Sequence, residues 1–185
     1  MAKRKTKKSQ RDFLVSIVLA VLAVLVICTL FMPVFSSKGD LGGVLQTKEA
    51  KTTGADVLTA CFHEKTSGDY TGGANTLITL KTSDDYGFVT SVFVWSYFLS
   101  ILAAAVVLVS AVLSILGIRI NLLGLVGGAA LLLLALVAFI FSLIVAGKFG
   151  YAGTFVSYTT TLAVGGWFLL AGVLCGAGAA YTAKK

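Results

Sequence analysis

The sequence predicts a membrane all-α fold: a left-handed, antiparallel four-helix transmembrane bundle, with a small mixed α/β extracytosolic cap built by the first loop. Three observations predict it. Four long apolar stretches, residues 13–35, 87–118, 120–147 and 149–183, hold no charged side chain, and a charge at mid-bilayer costs about 2.5–3.5 kcal/mol on insertion scales. Hydrophobic residues make up 57% of the chain and charged ones 12%, against about 25% charged in soluble domains. No Asp or Glu follows Asp85, so the second half of the chain is bare of acids.

The elements follow in chain order. Residues 1–12 form a basic tail whose Lys3, Arg4, Lys5, Lys7, Lys8 and Arg11 suit anionic inner-leaflet lipid at about 1 kcal/mol each. With Arg119, Lys184 and Lys185 they gather on one side of four crossings, which the positive-inside rule makes the cytoplasm. Both termini are thus expected to be cytoplasmic in a multi-pass plasma-membrane protein. Residues 13–35 cover about 34 Å as a helix, enough for the hydrocarbon core. That apolar run is too long for the core of a cleavable signal peptide. Leu58-Thr59-Ala60-Cys61 spells a lipobox, yet lies too far past the apolar run for lipidation.

Residues 36–86 are the extracytosolic loop, near the size at which a core is marginal alone, so the loop must lean on the helices. Thr53-Gly54-Ala55-Asp56 has capping-box spacing, and Val57, Leu58, Cys61 and Phe62 follow as the apolar face of a short helix. Thr76–Lys81 is rich in β-formers and reads as a strand, with Val44–Thr47 as its partner and 68–73 as turn material. Cys61, His63 and Glu64 are the only cluster with ligand chemistry. Neighbouring side chains on a helix diverge and no second Cys or His lies outside the spans, so neither a metal site, nor a cofactor, nor a disulfide framework is expected. Cys61 is expected to face the bundle, with His63 and Glu64 in water.

The second span, 87–118, sets Ser96, Ser100, Ala103, Ser110, Ser114 and Gly117 on one face. Small side chains let helix backbones approach in lipid, where burying Leu against Leu gains little. Residues 119–121 make a tight cytoplasmic turn. The third span, 122–147, repeats the pattern with Gly124 and Gly128, and the fourth, 161–182, with Gly172 and Gly176. The two Gly-x-x-x-Gly pairs suit either packing within the bundle or a homo-oligomer seam; their frequency in Ala- and Gly-rich chains favours the first. Residues 148–160 are a short extracytosolic loop and 183–185 a cytoplasmic tail. Aromatic residues collect at the outer ends, either as an interfacial belt and support for the loop, or as a partner surface including Trp95, Tyr97, Phe155 and Tyr158.

Several function classes drop out. An ion-coupled transporter normally keeps an ionisable group in the membrane, and none is present in the spans. The serines on the small-residue faces of the second and third spans have no His, Lys or Asp at helical spacing to activate them, so no enzyme is expected. The basic tail lacks the aromatic or folded module that nucleic-acid binding needs. What remains is a structural, interaction or accessory subunit acting through its cap and helix faces, with lipid bilayer and another membrane or extracytosolic protein as partners. The alternative is a small transporter or pore for an uncharged solute, or for an ion, without an intramembrane titratable group.

Met32-Pro33-Val34-Phe35 closing a first span, then a polar loop holding Thr53-Gly54-Ala55-Asp56-Val57-Leu58, then three more spans, resembles uncharacterised bacterial four-helix (tetraspan) membrane proteins. That resemblance implies the architecture and no activity. The layout, a first outer loop of some 50 residues and a short second one, is also similar to claudins. The claudin loop signature of Trp, Gly-Leu-Trp and two cysteines is absent, because this loop has no Trp and one Cys.

Overall fold

In a computed structural model of the chain, the backbone is described for residues 2–41, 45–46, 50–118, 120–149 and 157–184, and side chains for 12–38, 50–118, 120–147 and 160–184. The fold is mostly helical, with a small sheet at one end. Helix α1 (Ala2–Cys28) passes through a 3-10 turn (Thr29–Phe31) into strand β1 (Pro33–Leu41). Strands β2 (Leu45–Gln46) and β3 (Ala50–Thr53) follow, then short helices α2 (Gly54–Phe62) and α3 (Gly72–Lys81). Long helices α4 (Gly87–Ile115) and α5 (Asn121–Phe149), strand β4 (Ser157–Leu162), and helices α6 (Val164–Trp167) and α7 (Leu169–Ala183) complete the chain. Four segments, Asp12–Phe31, Gly87–Ile115, Asn121–Gly147 and Val164–Ala183, are long and apolar enough to cross a membrane.

These helices pack in a ring in which α1 meets α4, α4 meets α5, α5 meets α7 and α7 returns to α1. Small residues make the close contacts. A Cβ on Gly176 would meet the Leu132 backbone nitrogen, and one on Gly128 would lie 2.6 Å from Ala180 N. A Cβ on Gly172 would sit 3.0 Å from the Ala135 methyl. The α5–α7 seam is therefore used inside the chain, as packing of α5 Gly-x-x-x-Gly against its α7 counterpart. Ser96, Ser100 and Ala103 are buried along α4, where the serine hydroxyls donate to the carbonyls of Phe93 and Tyr97 three residues back. Back-bonding of this kind satisfies a polar group without a second helix.

Gly117 departs from the expected packing stripe. It is exposed, with φ +85° and nothing near an added Cβ. Gly117 N donates to Ser114 O and Ile118 N to Leu113 O, the paired bonds of a Schellman cap. Gly117 ends α4 because it reaches the left-handed region without strain.

The first span also ends earlier than the apolar run. The helix stops at Cys28, and Pro33, which has no N–H to give a ladder, opens β1. Val34 and Phe35 are then fully buried beneath the cap, and the Phe35 ring packs tilted against Phe93, with centroids 5.4 Å apart. Residues 76–81 are helical, contrary to the strand reading. Thr71 caps α3 by accepting from Ala74 N, Ala74, Leu77 and Ile78 form one buried face, and Thr76 and Thr79 donate to Gly72 O and Asn75 O. Adjacent Leu77 and Ile78 both point inward, which a helix permits and a strand forbids. Gly72 and Gly73 accordingly belong to α3 rather than to a turn.

Leu45–Gln46, from the segment expected to pair with 76–81, pairs β1 instead. Phe35 pairs with both Thr52 and Leu162, and Asp40 with both Gln46 and Ser157. Since a strand has two edges, β2 and β3 share one edge of β1 and β4 takes the other. The sheet thus unites both expected loops: residues 148–160 do not simply connect, and the fourth apolar helix begins at Val164 rather than residue 161. Residues 150–156 lie outside the described ones.

Candidate functional site

The cap is organised by one buried carboxylate. Asp56 Oδ2 accepts from Thr53 N at 2.6 Å and Thr53 Oγ1 at 3.0 Å, while Asp56 N donates to Thr53 Oγ1 at 3.4 Å. This is the capping box expected at 53–56, with Asp in the Glu position. Its other oxygen does what the sequence does not announce: Oδ1 accepts from Thr71 Oγ1 at 2.5 Å, and Thr71 caps α3. One acid therefore holds the N-termini of α2 and α3 together, where negative charge also suits both helix dipoles.

A cation closes the opposite end of α2. Lys81 Nζ donates to the carbonyls of Ala60 at 2.9 Å, Cys61 at 3.0 Å and His63 at 3.3 Å. Three ammonium protons meet three carbonyl oxygens that the helix leaves open. Cys61 is buried, as expected, and burial pushes its thiol above the ordinary range while Lys81 pulls it part of the way back. His63 and Glu64 are exposed, and a His63 Nδ1 proton is taken by Thr59 O at 2.9 Å. The His63 ring rests against Tyr70, with centroids 4.9 Å apart. Among the described residues no group of three His, Cys, Asp or Glu, Cys61, His63 and Glu64 included, is placed to hold a metal ion.

Beside the cap, Phe62, Trp95 and Phe98 form an aromatic triad. Centroids lie 6.1 Å apart for Phe62–Trp95, 5.1 Å for Phe62–Phe98 and 6.1 Å for Trp95–Phe98, all edge-on. Phe62 is 59% exposed and Trp95 44%, so the triad is a surface shared by α2 and α4. Tyr97 is no part of it. Its side chain is fully buried and its hydroxyl lies 2.9 Å from Thr29 Oγ1. Thr29 gives its own proton to Val26 O, so the Tyr97 hydroxyl is the donor between them. Phe155 and the side chain of Tyr158 lie outside the described residues, as do the side chains of Lys3, Arg4, Lys5, Lys7, Lys8 and Arg11; the backbone of these six continues α1.

At the end away from the cap, the four long helices part around a cleft of about 520 Å³. Ser110, Ser114 and Gly124 line it, so the expected packing stripe divides: its cap-end half is buried and its far half borders open space. Ser16, with one proton, sits 3.0 Å from Ser114 Oγ and 3.0 Å from Asp12 O. Asp12, Asn121 and Thr182 add polar lining, and Val15, Leu19 and Val107 form apolar walls. The sequence signal for this cleft was the run of hydroxyl and amide side chains near one end of all four helices. Comparison of the chain with protein-family models, with curated proteins and with solved structures found no match.

Proposed function

We propose that the protein is a non-enzymatic, multi-pass plasma-membrane protein of bacterial type that acts as a structural or accessory subunit through its cap. In this reading the four helices form a left-handed antiparallel tetraspan bundle, both termini are cytoplasmic, and the sheet with α2 and α3 is extracytosolic. One observation carries it: the exposed Phe62–Trp95–Phe98 triad sits where the cap meets the bundle, while the cap's Asp56 and Lys81 are turned inward onto helix ends. Rigid aromatic surface without reactive polar groups is the composition of a contact site. The partner is another membrane or extracytosolic protein, with a second copy of the chain as one form of it.

Crosslinking in native membranes through a photoreactive residue at position 62, followed by mass spectrometry, is expected to yield a discrete adduct. Replacing Trp95 and Phe98 with Ala should weaken that adduct about tenfold or more, the loss of a hot-spot pair. Absence of any adduct would remove the basis of the reading. The alternative, a pathway for an uncharged solute or for an ion, draws on the cleft; liposomes holding the pure protein and passing small solutes or ions would favour it.

A further inference from the structure

We propose that the cleft between the far ends of the four helices seats a single phospholipid whose headgroup carries a free ammonium, an ethanolamine-type lipid of the inner leaflet. The leaflet assignment rests on the topology proposed above; the binding site itself does not. The cleft is graded. Val15, Leu19 and Val107 line it together with Ser16, Ser110 and Ser114, so apolar wall and hydroxyl groups occupy one space, as an amphiphile with an acyl chain and ester oxygens requires. A volume of about 520 Å³ lies within the ~300–1,000 Å³ of ligand sites. At this depth lipid is the most concentrated candidate, and the walls come from four different helices, so the site exists only in the assembled bundle.

The headgroup follows from charge. Among the described residues Asp12 is the only acid in the lining; it already takes part in an interaction, and a carboxylate has about four lone-pair positions, enough to keep that contact and accept an ammonium proton as well. Lys184, which is exposed, directly follows the lining residue Ala183. One acid beside one cation complements a zwitterion, with ammonium toward Asp12 and phosphate toward Lys184. A quaternary choline head has no N–H to donate, and a glycerol head has no cation.

The test is native mass spectrometry of the full chain in mild non-ionic detergent, titrated with ethanolamine, choline and glycerol phospholipids of matched acyl chains. The wild type is expected to bind the ethanolamine lipid about tenfold tighter than the other two, the worth of one charge-assisted hydrogen bond. Asp12→Asn should erase that preference while leaving binding of all three, and Ser110→Leu, which fills the cleft, should lower all three about tenfold. Equal binding of the three lipids by the wild type, or a preference that survives Asp12→Asn, would overturn the proposal. Should Ser110→Leu fail to fold, Asp12→Asn decides alone. Cysteine labelling of the termini in intact cells reads the topology separately: selective binding with outward-facing termini would refute the inner-leaflet assignment and keep the site.

Discussion

Gly54 shows how much a single position can hold. It begins α2 against α4 and the 3-10 turn that follows α1, and an added Cβ would collide with Tyr97 Oη and the Thr29 carbonyl oxygen and lie 2.7 Å from Leu30 Cα. Two of those three obstacles are backbone and cannot rotate away. Gly54→Ala is expected to cost about 1–3 kcal/mol through overpacking, read as a lower midpoint in thermal unfolding of the detergent-solubilised protein. Gly68→Ala, with nothing within 4 Å, is the control and should stay within about 0.5 kcal/mol of wild type. The cap of α2 was legible because Thr53 and Asp56 are three residues apart. Lys81 was not, since its acceptors are carbonyls at Ala60, Cys61 and His63, and any residue can supply a carbonyl.

At the scale of elements, helices identified by exclusion of charge were legible and their ends were not. An apolar run tells where water is absent, and that holds equally for the last turn of α1 and for Val34 and Phe35 in β1. Thr76–Lys81 misled because β propensity is a weak preference that packing overrides: Ala74, Leu77 and Ile78 make one buried helical face, and Thr76 and Thr79 satisfy their hydroxyls on the carbonyls four residues back. The α5–α7 seam was legible as small-residue spacing, and it makes a sharp prediction. Gly176→Val should cost about 1–3 kcal/mol, because its Cβ meets the Leu132 backbone. Gly147→Ala on α5, which has nothing within 4 Å, should instead stabilise by up to about 1 kcal/mol through helix propensity. Chemical unfolding followed by circular dichroism would separate the two signs.

For the whole molecule, the decisive pairing is between β1 and β4, and it was hidden because two strands far apart in sequence carry no local mark of each other. The β-branched run Thr159-Thr160-Thr161 was a signal for a strand, but not for its partner. Ser37 and Thr160 face each other in register, with hydroxyls 2.8 Å apart. A Ser37→Cys, Thr160→Cys double variant is therefore expected to form an intramolecular disulfide under oxidation, seen as a faster-migrating monomer on non-reducing gels. A dimer band in its place would show that the two strands do not pair within one chain.

That same strand order has a consequence for how the chain is made. Synthesis delivers β1, β2 and β3 early, whereas β4 arrives only after α4 and α5. Until then one edge of β1, from Phe35 to Asp40, holds unpaired backbone donors and acceptors, the kind of edge that recruits foreign strands. The nascent protein thus passes through an interval of vulnerability that ends when residues 157–162 close the sheet, and a chain interrupted within α5 would be left sticky rather than merely incomplete.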